Sequence, residues 1–209
     1  MSNLQGFWNA TLSSSSSASA VILPDGQLWI LYEVAGVVSG LARAALSADG
    51  TTYSGSGKNY SFTGAATQDF SLSGSLPASA PTSLSNSVRL GSATPLAMTW
   101  SYNNSYKTPL SLASIQGRWS AMVGVNNLLL DVDAGGKLVG TSSAGCTYGG
   151  TLLVNPGAPA LLDAAVTETC AGATKTLAGI ALLSADQHRL SLAYTTAAGA
   201  QGGVLLFSK

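Results

Sequence analysis

The sequence predicts an all-β protein made of two related antiparallel meander units in tandem, residues 1–109 and 110–209, each a small barrel or a two-layer sandwich. Three observations carry that prediction. A short motif recurs about half-way along the chain, apolar residues alternate with period two inside each half, and turn-forming residues punctuate the alternation at hairpin spacing. Helical spacing is scarce.

The recurrence is Leu4-Gln5-Gly6-Phe7-Trp8-Asn9-Ala10, which returns as Ile115-Gln116-Gly117-Arg118-Trp119-Ser120-Ala121. Nearly the same offset aligns Asp25-Gly26-Gln27-Leu28 with Gly135-Gly136-Lys137-Leu138, and Ser39-Gly40-Leu41 with Gly149-Gly150-Thr151. Three matches in the same order describe a duplication. The seam falls at Lys107-Thr108-Pro109, where proline and Leu110-Ser111-Leu112-Ala113-Ser114 predict a connector with one helical turn.

In the first half, the serine run Ser13 to Ser17 reads as a hairpin tip and Pro24-Asp25-Gly26 as a turn. The segment Gln27 to Glu33 places Leu28, Ile30 and Tyr32 on one face and Trp29 and Leu31 on the other, so both faces are expected to be buried. Contact between the two units is the simple account, with the C-terminal Gly202-Gly203-Val204-Leu205-Leu206-Phe207 as its counterpart. Phe70, Leu72, Gly74 and Leu76 oppose Ser71, Ser73 and Ser75, and Met98, Trp100 and Tyr102 oppose Thr99 and Ser101. Each pattern describes a sheet with a core side and a Ser/Thr-coated water side. The second half yields eight strands: 116–122, 128–132, 137–141, 147–154, 161–168, 177–183, 189–195 and 203–208. So many strands in so few residues suit a meander that closes on itself.

Composition excludes several partners. Only 9% of the 209 residues are charged, and nine basic side chains balance nine acidic ones. Such a chain lacks the basic footprint that phosphate neutralisation demands, so neither nucleic acid nor an anionic bilayer surface is an expected partner. The longest apolar stretch, Val21 to Val38, contains Pro24, Asp25 and Glu33 and does not read as a membrane span. The opening Met1-Ser2-Asn3-Leu4-Gln5 carries no charged-then-apolar leader and reads as a mature form with a replaced start. Low charge also weakens protection against self-association, which leaves a monomer or a weak homodimer as the expectation.

The two cysteines, Cys146 and Cys170, are too few for a four-ligand structural zinc site and are read as a disulfide. The alternative is a pair of buried thiols. A disulfide would tie the fourth strand of the second unit to the region after the fifth and place the protein outside the cytosol.

The repeated Gly-x-Trp resembles the first-strand motif of the lipocalin-like barrels, in which the tryptophan plugs one end. The resemblance implies that Trp8 and Trp119 are core anchors, each indole contributing about 5 kcal/mol gross if roughly 200 Å² is buried. It also implies a second function, carriage of a small apolar ligand. Inward positions such as Ala42, Ala44, Ala164 and Val166 would leave room for it. More widely, several features in order resemble a family of tandem-repeat, β-rich lipoproteins of Gram-negative bacteria whose biochemical role is generally unassigned. These are Gly6-x-Trp8, Pro24-Asp25-Gly26-x-Leu28-Trp29, Ser39-Gly40, Pro109-x-Ser111-Leu112, Ile115-Gln116-Gly117-x-Trp119, Gly145-Cys146-Thr147, Cys170 and Gly203-Val204-Leu205-Leu206-Phe207. That resemblance implies export and a lipid anchor that this chain itself does not carry. It supplies no catalytic residues.

Reactive constellations are scarce. The one histidine, His188, lies in a turn sequence, Asp186-Gln187-His188-Arg189, and there is neither a Gly-x-Ser-x-Gly elbow nor a zinc-binding His pair. Asp131-Val132-Asp133-Ala134-Gly135-Gly136 has the look of a calcium loop but lacks the bidentate Glu downstream, so a hairpin turn is the better reading. Catalysis, a cofactor and a metal site are not expected. Trp29, Tyr32, Trp100, Tyr102 and Tyr106 form a candidate binding surface for a glycan, a protein or a small apolar ligand, or else cement the contact between units. The expected role is a non-enzymatic binding or structural module of the bacterial cell envelope, anchored in the outer membrane or secreted.

Overall fold

In the computed structural model, which describes residues 3–209, the period-two alternation becomes two closed eight-stranded barrels. The first contains β1 (Gly6–Ser13), β2 (Ser16–Ile22), β3 (Gln27–Val34), β4 (Val37–Asp49), β5 (Thr52–Ser61), β6 (Gln68–Ser75), β7 (Ser83–Leu90) and β8 (Leu96–Asn103). A 3-10 turn at Asn104–Lys107 and a single helical turn, α1 (Leu112–Ile115), follow. The second barrel contains β9 (Gly117–Val123), β10 (Asn126–Val132), β11 (Lys137–Ser142), β12 (Thr147–Asn155), β13 (Ala158–Cys170), β14 (Ala173–Leu183), β15 (Arg189–Thr196) and β16 (Gly202–Ser208). The two compact units divide between Tyr106 and Lys107.

Every strand pairs antiparallel with its chain neighbour, and each meander closes on its own first strand. Phe7, Trp8 and Asn9 of β1 pair with Asn103, Tyr102 and Ser101 of β8, whereas β9 and β16 meet at Ser120 and Ser208. Closure removes the free sheet edges that a sandwich would retain. Of the two architectures the sequence left open, the barrel is therefore the one adopted.

Alternation decides what lies inside. Phe70 and Leu72 of β6, Met98 and Trp100 of β8, and Leu28 and Ile30 of β3 all belong to the core of the first barrel. Leu190 and Leu192 of β15 share the second core with Leu128, Leu130, Leu138 and Phe207. Ala42 and Ala44, Ala164 and Val166 also point inward, but they are packed against neighbours in these cores. On the outer face of β6, Ser71 and Ser73 are exposed. Among the described residues no helix is long and apolar enough to cross a membrane.

The duplication extends to individual hydrogen bonds. In the first barrel the Gly26 N–H donates to the Leu23 carbonyl at 3.0 Å and the Leu46 N–H donates to the Gly26 carbonyl at 2.8 Å. In the second, Gly136 donates to Asp133 at 3.0 Å and Leu152 donates to Gly136 at 2.7 Å. Both glycines lie at positive φ, +86° and +80°, where a side chain is strained. The second of the three sequence matches thus marks one turn built twice.

Candidate functional site

Trp8 and Trp119 are 1% and 0% exposed. Each donates its indole N–H to the carbonyl four residues earlier, Leu4 at 2.9 Å and Ile115 at 2.7 Å, so its one polar atom is satisfied inside the core. Tyr102 meets Trp8 edge-on at 5.2 Å. The Lys209 ammonium sits 4.7 Å from the Trp119 ring centroid while donating to the Ser114 carbonyl at 3.1 Å. Both tryptophans therefore close the end of the barrel at which its first strand begins.

Of the five aromatic residues expected to offer a binding surface, Trp29, Trp100 and Tyr106 are buried and Tyr32 and Tyr102 are half-buried. Trp100 points into the first barrel and donates to Asn86 Oδ1 at 3.2 Å, and the Asn86 amide donates to the Tyr53 hydroxyl at 3.4 Å. Tyr102 packs against Trp8, and Tyr106 is buried edge-on to Phe7 at 5.2 Å. Tyr32 packs against the first core at the end away from Trp8, where burial pushes its phenol well above the ordinary tyrosine value. Trp29 faces outward from the same strand and is buried, with the Arg43 guanidinium 4.8 Å from its ring centroid. For Tyr32, Trp100 and Tyr102 the reason is geometric: once a sheet closes, every second residue of β3 and β8 points inward, and these rings supply the packing volume.

His188 is exposed in the turn between β14 and β15, with its backbone N–H donating to Asp186 Oδ1 at 3.1 Å. No hydroxyl or carboxylate hydrogen-bonds its ring among the described residues. Asp131 forms an exposed ion pair with Arg118 at 3.0 Å. Asp133 Oδ1 accepts the N–H groups of Gly135 and Lys137, each at 2.9 Å. Those contacts close a hairpin turn and account for the calcium-like sequence.

A concavity of about 200 Å³ opens at the other end of the second barrel, away from Trp119. Its floor is apolar, made by Leu128, Leu177 and Leu205. Its wall carries Tyr148 of β12, Glu168 of β13 and Tyr194 of β15, with Ser142 and Asn126 beside them. These residues converge by register: Tyr148 pairs with Glu168 across β12 and β13, and inward parity carries Val166 to Glu168 and Leu192 to Tyr194. Burial is the main cause that raises both tyrosine hydroxyls above their ordinary value, and the negative charge of Glu168 adds to it. Both remain protonated at neutral pH, and the Tyr148 hydroxyl hydrogen-bonds Ser142 and Glu168. Gly203 makes the room for one of them, since a Cβ there would lie 2.5 Å from the Tyr194 hydroxyl oxygen.

Comparing the repeats explains why this end is open. The register that aligns Leu28 with Leu138 sets Tyr32 opposite Ser142, so the ring that fills this end of the first barrel is replaced by a hydroxymethyl group in the second. Ser142, Tyr148, Glu168 and Tyr194 were not singled out from the sequence. The signals for them are the Tyr32/Ser142 mismatch and the carboxylate that interrupts the inward series Ala164, Val166.

The rim is tied by the disulfide between Cys146, just before β12, and Cys170, the last residue of β13. Glu168 Oε1 lies 3.0 Å from Cys170 Sγ, a packing contact, because a disulfide sulfur carries no proton. The same two sulfurs and the Glu168 carboxylate lie within 4.8 Å of one another, but bonded sulfurs are not thiolate ligands. Replacing both cysteines by alanine is expected to lower folding stability by about 3 kcal/mol, from the loop the bridge closes. Urea titration followed by circular dichroism measures it, and a loss under 0.5 kcal/mol would mean that the bridge constrains nothing.

No family model, no curated protein and no solved structure matches the chain.

Proposed function

We propose that the protein is a non-enzymatic binding module that holds a small amphipathic ligand in the open end of its second barrel. The observation that carries this reading is the 200 Å³ concavity, with an apolar floor and a polar wall, at a position where the first repeat is filled by Tyr32. A space of this size accepts a single ring with a short substituent, since a cavity of about 150 Å³ takes benzene. Purely apolar cargo, as in a lipocalin-like carrier, suits the floor but brings nothing to the polar wall, where the Tyr148 hydroxyl hydrogen-bonds Ser142 and Glu168 and the Glu168 charge has no opposite charge beside it. The disulfide favours an oxidising compartment. Together with the resemblance to Gram-negative lipoproteins, it supports a place in the cell envelope, anchored or secreted.

The test is a screen of single-ring fragments by methyl NMR. Binding is expected to shift Leu128, Leu177 and Leu205 and to leave the methyls of the first barrel unmoved. Ser142→Tyr, which gives the second barrel the side chain of the first, is expected to abolish those shifts while the protein stays folded. Shifts that persist in this variant, or a screen in which none of the three leucines moves, would remove the proposal.

A further inference from the structure

We infer that the ligand of the second barrel carries a protonated amine, which sits against Glu168 while its apolar part rests on the leucine floor. The inference rests on the binding function proposed above and specifies the chemistry of that site. Among the described residues, Glu168 is the only acidic or basic side chain lining the concavity. The ion pairs among the described residues, Lys58 with Asp69 and Arg118 with Asp131, lie elsewhere, so none neutralises this carboxylate. Lys175 stands opposite Glu168 in the β13–β14 register but makes no ion pair with it.

Electrostatics then decides among ligand classes. A neutral or apolar molecule covering this end would take the carboxylate out of water and leave it the Tyr148 hydroxyl as a hydrogen-bond partner but no opposite charge, which is costly. An anion would add repulsion to that cost. An ammonium supplies the opposite charge and three donors, which the carboxylate and the hydroxyls of Tyr148 and Tyr194 can accept. Two phenol rings beside the carboxylate add attraction between a cation and the ring faces. A bare calcium ion fits poorly, because it seeks about 6–8 oxygen ligands and the wall offers one carboxylate. Size and polarity together describe a primary arylalkylamine.

Three probes of matched shape separate the possibilities: phenethylamine, 2-phenylethanol and 3-phenylpropionate, each titrated at pH 7 into the intact protein and followed by the methyl shifts of Leu177 and Leu205. Phenethylamine is expected to bind at least 10-fold more tightly than the alcohol, with the carboxylate weakest. Glu168→Gln, nearly identical in shape, is expected to weaken the amine at least 10-fold and to remove its advantage over the alcohol. Lys175→Gln removes the ammonium facing Glu168 across the ladder and is expected to tighten the amine severalfold. Equal binding of all three probes, an amine unaffected by Glu168→Gln, or an amine weakened by Lys175→Gln would overturn the inference while the binding site itself stood. If no probe moves either leucine, both the site and its specificity fall.

Discussion

Trp119→Ala is expected to cost about 4 kcal/mol of folding stability, the largest loss of any single truncation in the second barrel, because truncating a buried tryptophan typically costs about 3–5 kcal/mol. The expectation rests on position as much as on size. Trp119 is fully buried where α1 leads into β9, and its neighbours are committed elsewhere: the Ile115 carbonyl accepts its N–H at 2.7 Å, and Lys209 is held by the Ser114 carbonyl. Such a frame cannot collapse into the vacated space, so the loss combines burial with a cavity. Trp119→Phe separates the parts. It keeps most of the packing, leaves the Ile115 carbonyl unpaired and is expected to cost about 1–2 kcal/mol. Trp8→Ala should match the larger figure in the first barrel, where Tyr102 holds the ring edge-on. Urea titrations of the three variants by far-ultraviolet circular dichroism give the comparison. A Trp119→Ala loss below 1 kcal/mol would show that the barrel end does not depend on the indole.

The fold was legible where burial is one-sided. Along Leu190, Leu192 and Tyr194 each inward residue is apolar or aromatic and most outward ones are small or polar, and β15 begins at Arg189 as predicted. The reading stopped short where a strand continues beyond the core. β14 starts at Ala173 and not at Leu177, since Ala173, Thr174, Lys175 and Thr176 are exposed on both faces and carry no alternation. β13 begins at Ala158, three residues before the predicted Leu161, for another reason: Ala158 is buried, but Asn155-Pro156-Gly157 and Pro159 read as turn residues. The cysteine pairing was legible because two cysteines allow one bridge.

The site was harder to see for a different reason. Aromatic residues near the seam look like a binding surface in sequence, but chemistry alone does not distinguish a ring that stacks on a ligand from one that fills a barrel. Trp100 and Tyr32 are of the second kind. The open end of the second barrel is defined by what is missing at Ser142, a small polar residue of no chemical distinction that becomes informative only against Tyr32 in the other repeat. Duplication supplies that comparison within one chain. The two barrels share the tryptophan peg and the Gly26/Gly136 turn and differ at the far end, where Tyr32 stands in one and Ser142 in the other.

Gly136→Ala is expected to destabilise the second barrel by about 3 kcal/mol, and Gly26→Ala the first by less. Two costs coincide at Gly136. Its φ of +80° lies where an L residue with a Cβ is strained by about 1–2 kcal/mol. A Cβ there would also come within 2.1 Å of the Leu152 carbonyl oxygen. That oxygen belongs to a residue whose N–H donates to the Gly136 carbonyl at 2.7 Å, so retreat of the strand breaks the bond that fastens the turn. Overpacking of this kind adds about 1–3 kcal/mol. At Gly26 the φ is similar, +86°, but the nearest atom, the Leu46 carbonyl oxygen, is 2.8 Å away, so the strain remains while the collision is milder. Equilibrium unfolding of the two variants decides the matter. If Gly26→Ala cost as much as Gly136→Ala, backbone conformation alone would explain the conserved turn, and close approach of β12 would have no part in it.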